Sequence, residues 1–202
     1  MDNEYIEGLR KKVKKALAAD KNRYRHTLGV ADTAACLAMR YGVDVQRAYV
    51  AGLLHDCAKC VPDSSKITEC EAYGLEITPY ERKSPYLLHA KLGAEYAKRL
   101  YGIEDPEICS AIAFHTTGKP NMTRLEEIIF LADYIEPRRN QASDLPEVRK
   151  EAFVDIQRAI FTVTADTLAY LKEKGKMIDP MTEQTYRYYA DLFDPNGKEQ
   201  KS

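Results

Sequence analysis

All four histidines of this chain, and two of its carboxylates, stand inside or at the end of apolar runs. His26 lies on the apolar face of a stretch carrying Val30, Ala34, Leu37 and Ala38; His89 follows Leu87 and Leu88; His115 follows Ile112, Ala113 and Phe114. His55 and Asp56 form a doublet directly after Ala51, Gly52, Leu53 and Leu54, and Asp133 follows Ile128, Ile129, Phe130, Leu131 and Ala132. An unpaired buried charge costs several kcal/mol or neutralises itself. Whatever fold the chain adopts must give these six groups partners in its interior.

The apolar residues recur every three to four positions, which predicts helices. Tyr5, Ile6, Leu9, Val13, Ala16 and Leu17 mark a first amphipathic helix; a second runs from Arg23 to a C-cap at Gly42, and Asp44 opens a third over Val45 to Leu54. Pro62, Pro79, Pro85 and Gly74 break the stretch from Cys60 to Pro85 into short helical pieces joined by turns, a lid or rim. Helices are predicted over 87–101, ended by Gly102, and over 106–115, before a turn at 116–120. Thr123 and Glu126 read as a capping box opening a strongly apolar helix over 125–135, which Pro137 stops. A polar loop with Pro146, one long helix over 148–172 and a last helix over 182–193 complete the pattern, with a frayed tail from about 194. No alternating strand pattern occurs. The expectation is an all-α helical bundle forming a single domain over 1–202, a length that supports one sizeable core.

Thirty Lys and Arg balance 31 Asp and Glu, which excludes a basic nucleic-acid scaffold and a disordered chain. The longest apolar runs fall far short of the about 20 residues of a membrane span, and the acidic start lacks a secretory segment. No nucleic-acid or membrane partner is therefore expected. Five cysteines without a disulfide spacing suit a reducing compartment, so the cytoplasm is the expected location. Cys57 and Cys60 form a C-x-x-C pair with no second pair to complete a zinc site, and read as small buried thiols. Tyr186, Tyr188 and Tyr189 at helical spacing read as packing residues.

A single histidine on an apolar face is most often hydrogen-bonded to a backbone carbonyl. Six such coincidences have a common explanation in a metal centre, where imidazoles and carboxylates from several helices converge on divalent ions. Adjacent helical residues project about 100° apart, so one ion binds both His55 and Asp56 only near a helix end, while Asp56 could also bridge two ions. The spacing suggests a two-metal site.

The order His26, His55 and Asp56, His89, His115, Asp133 resembles the HD superfamily of metal-dependent phosphohydrolases, and specifically its two-metal branch. Within that branch the segments Gly52 to Lys59, His115 to Gly118, Ala132 to Arg139 and Ile178 to Thr182 resemble the YqeK family, small symmetrical diadenosine tetraphosphate hydrolases. The resemblance implies an HD-domain bundle and two metal positions: His26, His55, Asp56 and Asp133 at one, and His89, His115 and the bridging Asp56 at the other. It implies iron, while the N/O donor set equally accepts manganese, cobalt or zinc. A water or hydroxide between the ions is the expected nucleophile, cleavage at the middle bridge yields two ADP, and ADP or GDP is the expected product-like ligand. Asp56 and Lys59 are expected to act in the chemical step, with Lys59, Thr116, Thr117, Arg138 and Arg139 binding phosphate. Gly118, Lys119, Arg23 and Arg25 lie close by. A homodimer is an expectation of the same kind. The alternatives are an HD phosphohydrolase acting on a nucleoside phosphate, (p)ppGpp or a cyclic dinucleotide, and a metal-retaining nucleotide-binding module without turnover.

Overall fold

The computed structural model describes residues 3–140 and 144–193, and the tail expected to fray from about 194 lies outside them. In chain order the helices are α1 (Asn3–Ala16), α2 (Lys21–Tyr41), α3 (Val45–Leu54), α4 (Asp63–Ala72), α5 (Pro79–Lys83), α6 (Leu88–Arg99), α7 (Pro106–Phe114), α8 (Arg124–Ile135), α9 (Leu145–Ala152), α10 (Ile156–Glu173) and α11 (Pro180–Phe193), with a 3-10 turn at Pro85–Leu87 leading into α6. No strand occurs among the described residues, so the architecture is all-α as the periodicity predicts.

Local chemistry explains most of the boundaries. Asp20 caps α2 by accepting from the Arg23 amide, and Asp44 caps α3 by accepting from the Arg47 amide. Gly42 ends α2 in the left-handed region at φ 69°, where a side chain would be strained. Thr123 and Glu126 form the capping box of α8, and Thr78 with Glu81 forms another at α5. The long helix expected over 148–172 is instead two. Asp155 accepts from the Gln157 and Arg158 amides and starts α10 afresh, while α9 begins earlier, at Leu145, with Pro146 in its first turn instead of in a loop. A side-chain acceptor for two otherwise unbonded amides outweighed continuation of the apolar period there.

The centre of the molecule is α2, packed on α3 and α8, with α7 behind α3 and α6 outside α7. The α2–α3 contact depends on a missing side chain: a Cβ at Gly52 would lie 2.8 Å from the Cα of Ala31 and 3.1 Å from its amide nitrogen. This close approach sets the His26 and His55 rings edge-to-face with centroids 5.4 Å apart. On the far side, α11 is fastened to α8 by the Tyr189 hydroxyl, which donates to Glu127 Oε1 at 2.9 Å, and Tyr186 stacks on Phe161. The tyrosine group therefore packs, as its spacing suggests. All five cysteines are free; Cys57, Cys70 and Cys109 are buried, Cys60 half-buried and Cys36 exposed. Among the described residues no helix is long and apolar enough to cross a membrane.

Gly52→Ala should destabilise the protein by about 1–3 kcal/mol in urea titrations, because the new methyl meets backbone that cannot yield as a side chain can. Asp144, at the start of α9, and Asp166 on α10 face each other, and the Oδ2 of each is buried without a donor. Burial and the neighbouring Asp144 carboxyl push the Asp166 pKa up to about 6, against about 3.9 in an unfolded chain. The folded state thus holds a proton that the unfolded state has lost, and stability falls as pH rises through that window. Asp166→Asn should raise the melting temperature above pH 7 and leave it unchanged near pH 4.

Candidate metal centre

The six side chains singled out in the sequence meet in one pocket between α2, α3, α6, α7 and α8. Three sets of possible ligands overlap there: His26, His55 and Asp56; His55, His115 and Asp133; Asp56, His89 and His115, with the ligand atoms of each set within 4.8 Å of one another. His55, Asp56, His89 and His115 are almost wholly buried.

The chain aims the imidazoles by fixing the far nitrogen of each ring. His55 directly follows α3, where the last carbonyls of a helix have no intrahelical donor, and its Nδ1 bonds the Gly52 carbonyl at 2.7 Å. His115 repeats this after α7, with Nδ1 on the Ile112 carbonyl at 2.7 Å. His89 uses the Tyr86 carbonyl in the 3-10 turn, at 2.6 Å. A backbone carbonyl can only accept, so each of these rings carries its proton on Nδ1 and turns the Nε2 lone pair inward.

What the inward atoms meet tests whether a cation fits. His89 Nε2 and His115 Nε2 lie 3.2 Å apart, two lone pairs facing each other. His55 Nε2 and Asp56 Oδ1 are buried with no hydrogen-bond partner. Asp56 Oδ1 lies 3.3 Å from His89 Nε2 and 3.7 Å from His115 Nε2, while its Oδ2 lies 3.3 Å from His55 Nε2. Asp133 Oδ1 is 2.9 Å from His26 Nε2 and 3.7 Å from His55 Nε2. Converging electron pairs, two of them (His55 Nε2 and Asp56 Oδ1) with no donor at all, are the arrangement that divalent ions compensate, and the donor set fits a metal. Asp56 belongs to two of the ligand sets.

The titration behaviour follows from the same geometry. Burial together with the His55 and His89 rings drives the His115 pKa down to about 3, and burial lowers that of His89. Burial pushes the Asp56 pKa up, but the His55 and His89 rings and Lys59 outweigh it and hold Asp56 well below the usual carboxylate range. For Asp133 burial is likewise outweighed by the His26 hydrogen bond and by His55 and Arg139. At His55 burial lowers the pKa, but the Asp56 and Asp133 carboxylates outweigh it and raise it; burial thus favours the neutral, metal-coordinating form at His89 and His115, beside carboxylates held in their ionised, coordinating form.

The residues expected at phosphate are placed unequally. Lys59 Nζ reaches His89 Nε2 at 3.0 Å and Asp56 Oδ1 at 3.9 Å; Arg139 Nη2 reaches Asp133 Oδ1 at 2.9 Å; Thr116 Oγ1 is 3.2 Å from His115 Nε2. Thr117 lies one residue further out, its hydroxyl donating to the Gly118 carbonyl at 2.9 Å. Arg138 is exposed and directed at the Arg25 carbonyl, 3.2 Å away. Lys119 is drawn off to Glu126 at 2.7 Å. Arg23, noted in the sequence only as a neighbour of His26, donates to Asp56 Oδ2 at 2.9 Å; its signal was a position three residues before His26, on the same helix face. Glu136, which no sequence motif singles out, is 1% exposed and touches His26 Nδ1 at 3.1 Å.

A family description for the HD domain matches residues 23–138, more than half of the chain. The chain belongs to the HD domain family. Similar proteins extend the match beyond the HD core: the symmetrical bis(5'-nucleosyl)-tetraphosphatase of Halalkalibacterium halodurans is 43% identical over 166 residues, covering 82% of this chain and 88% of that protein. The protein of the same name from Bacillus subtilis is 38% identical over 170 residues, covering 83% and 89%. These relatives bear out the YqeK-family resemblance read from the motifs. Among solved structures, an HD superfamily hydrolase from Clostridium acetobutylicum, described as involved in NAD metabolism, superimposes with a TM-score of 0.88 at 37% identity, covering 93% of this chain and 97% of that one. The HD bundle expected from the sequence is thus the observed one.

Because the inward lone pairs face each other at close range, metal ions should stabilise this HD domain more than they stabilise its variants. At a metal concentration about 100 times the Kd the gain should be about 2.7 kcal/mol, seen as a rise in melting temperature that a chelator reverses. Asp56→Ala should lose most of that rise, since it removes the carboxylate shared by two ligand sets.

Proposed function

We propose that this chain is a two-metal hydrolase that cleaves diadenosine tetraphosphate symmetrically into two ADP. The observation that carries the reading is the shared carboxylate Asp56, which places two ligand sets side by side, in a chain whose relatives carry the name symmetrical bis(5'-nucleosyl)-tetraphosphatase. In this reading His26, His55, Asp56 and Asp133 hold one divalent ion, and Asp56, His89 and His115 hold the second. Iron is the ion that the family resemblance implies, and the N/O donors suit manganese, cobalt or zinc as well. When bound, such a pair activates water for in-line attack and withdraws charge from the phosphoryl oxygens.

The rest of the work falls to the chain itself. Asp56 and Asp133 must stay ionised and stationary, and Arg23 and Arg139 each fix one of them through a charge-assisted hydrogen bond. Lys59 supplies a cation at the mouth of the second set, where it binds a phosphoryl oxygen and stabilises charge that grows in the transition state. Thr116 and Thr117 lie where the pocket opens into a cleft of about 460 Å³, walled by Tyr80, Leu87, Phe114 and Met181 and edged by Asp179 and Gln184. Apolar walls with a few polar groups suit a nucleoside, so we place one ADP half there and the attacked phosphorus at the metals. Arg138 binds phosphate in this reading only by leaving the Arg25 carbonyl. The chain works in the cytoplasm, as five free thiols suit, on a nucleotide and without nucleic acid or membrane; a homodimer is part of the same reading.

Metal analysis of anaerobically purified protein, combined with chromatography of the products, tests the proposal. The expected result is about two ions per chain and ADP as sole nucleotide product. AMP plus ATP would refute symmetrical cleavage, and release of phosphate or a linear dinucleotide would assign the site to another nucleotide. Lys59→Met should lower kcat by about 10²–10³ while leaving metal content unchanged.

A further inference from the structure

We infer that Glu136 is the positioning residue that decides which nitrogen of His26 faces the metal centre. The inference rests on the metal-centre reading above and names a device inside that site.

His26 differs from the other three histidines. It sits in the second turn of a 21-residue helix, where the carbonyls three and four residues back are engaged by the helix itself. The solution used by His55, His89 and His115, a nearby carbonyl for Nδ1, is closed to it. Instead its ring lies between two carboxylates: Asp133 Oδ1 at 2.9 Å from Nε2 and Glu136 Oε1 at 3.1 Å from Nδ1. Either carboxylate can accept the single proton of a neutral imidazole. If Asp133 took it, the Nε2 lone pair would be lost and the ligand set His26, His55, Asp56 would lose a member. Glu136 accepting from Nδ1 leaves Nε2 free, so the four rings all present Nε2 inward.

Four further features support Glu136 being built into place for this contact. It is the C-cap residue of α8, where the helix dipole disfavours a carboxylate, yet it is 1% exposed. Room for it is made on α2 by Gly29, one turn after His26: a Cβ there would lie 2.5 Å from Glu136 Oε2. A glycine inside a helix is unfavourable against alanine, and this approach accounts for it. The turn that carries Glu136 is clamped by Arg149, which donates to the carbonyls of Ile135, Glu136 and Arg139 at 2.8, 2.9 and 2.8 Å. Glu136 Oε2 also accepts from the Arg138 amide at 2.9 Å, so the carboxylate is held from its own turn as well.

The test needs no nucleotide. Wild type, Glu136→Ala and Glu136→Gln are stripped with chelator and titrated with zinc or manganese alone in competition with an indicator, and each is melted in chelator to record folding separately. A positioning role predicts a 10–100-fold weaker metal affinity for Glu136→Ala and substantial rescue by Glu136→Gln, whose amide oxygen still accepts from Nδ1. In zinc-loaded protein, long-range proton–nitrogen spectra should show a protected His26 Nδ1 proton in wild type and in Glu136→Gln that Glu136→Ala lacks. Gly29→Ala, which crowds the carboxylate without touching the ring's own chemistry, should weaken metal binding in the same direction. If Glu136→Ala melts lower but binds metal as wild type does, Glu136 only braces its turn and the inference is overturned. A wild-type protein that binds no metal overturns the inference together with the metal-centre reading, whereas normal metal behaviour without ADP release removes only the proposed substrate.

Discussion

Asp56 carries its negative charge at a place where water does not reach, and one of its oxygens has no hydrogen-bond donor. Taken alone, such a group would be expelled or neutralised. Here Arg23 holds Oδ2 and Lys59 lies 3.9 Å from Oδ1, while the Nε2 atoms of His55, His89 and His115 face the carboxylate across a space that suits a cation. The helices that supply those groups are thereby tied to one point: α2 through Arg23, α3 through the doublet, the start of α6 through His89, and the end of α7 through His115. The hydrophobic packing of α2, α3, α7 and α8 brings these elements close, but the buried carboxylate makes their relative rotation specific.

The same constraint explains where the histidines stand along their helices. A ring that must show a lone pair to the interior needs an acceptor for its other nitrogen, and the cheapest acceptor is a carbonyl that the helix has left over. His55 and His115 sit immediately after α3 and α7 and use one. His26 has no spare carbonyl, so a carboxylate from 110 positions away serves instead. That long-range contact in turn requires Gly29 on α2 and the Arg149 clamp on the turn after α8. The surroundings of His26 in this HD domain thus extend to backbone features outside the possible ligand sets.

Much of this was legible in the residues. The helical period, the caps at Asp44, Gly42 and Thr123, and the six polar groups at apolar helix ends are local patterns, and the structure places each where the pattern says. The reading was less complete where competition decided the outcome. Asp155 interrupts an apolar period that runs through it, because an N-cap satisfies two amides at once. Arg138 and Arg139 are indistinguishable as a pair in the chain, yet one meets Asp133 and the other turns to the Arg25 carbonyl. Glu136 was visible in principle as an acidic residue at a helix C-terminus, where the dipole opposes it.

The sequence by itself determined the all-helical pattern, most of its caps and the identity of the six converging groups, because helix periodicity, capping and the penalty for lone buried charge act over a few residues. Tertiary structure alone decided which nitrogen of His26 has an acceptor in Glu136, that Arg23 reaches Asp56 and how closely α2 approaches α3. Those outcomes depend on distances between residues 20 to 110 positions apart, set by packing around Gly29 and Gly52, and hydrogen-bond and ion-pair energies change over fractions of an ångström.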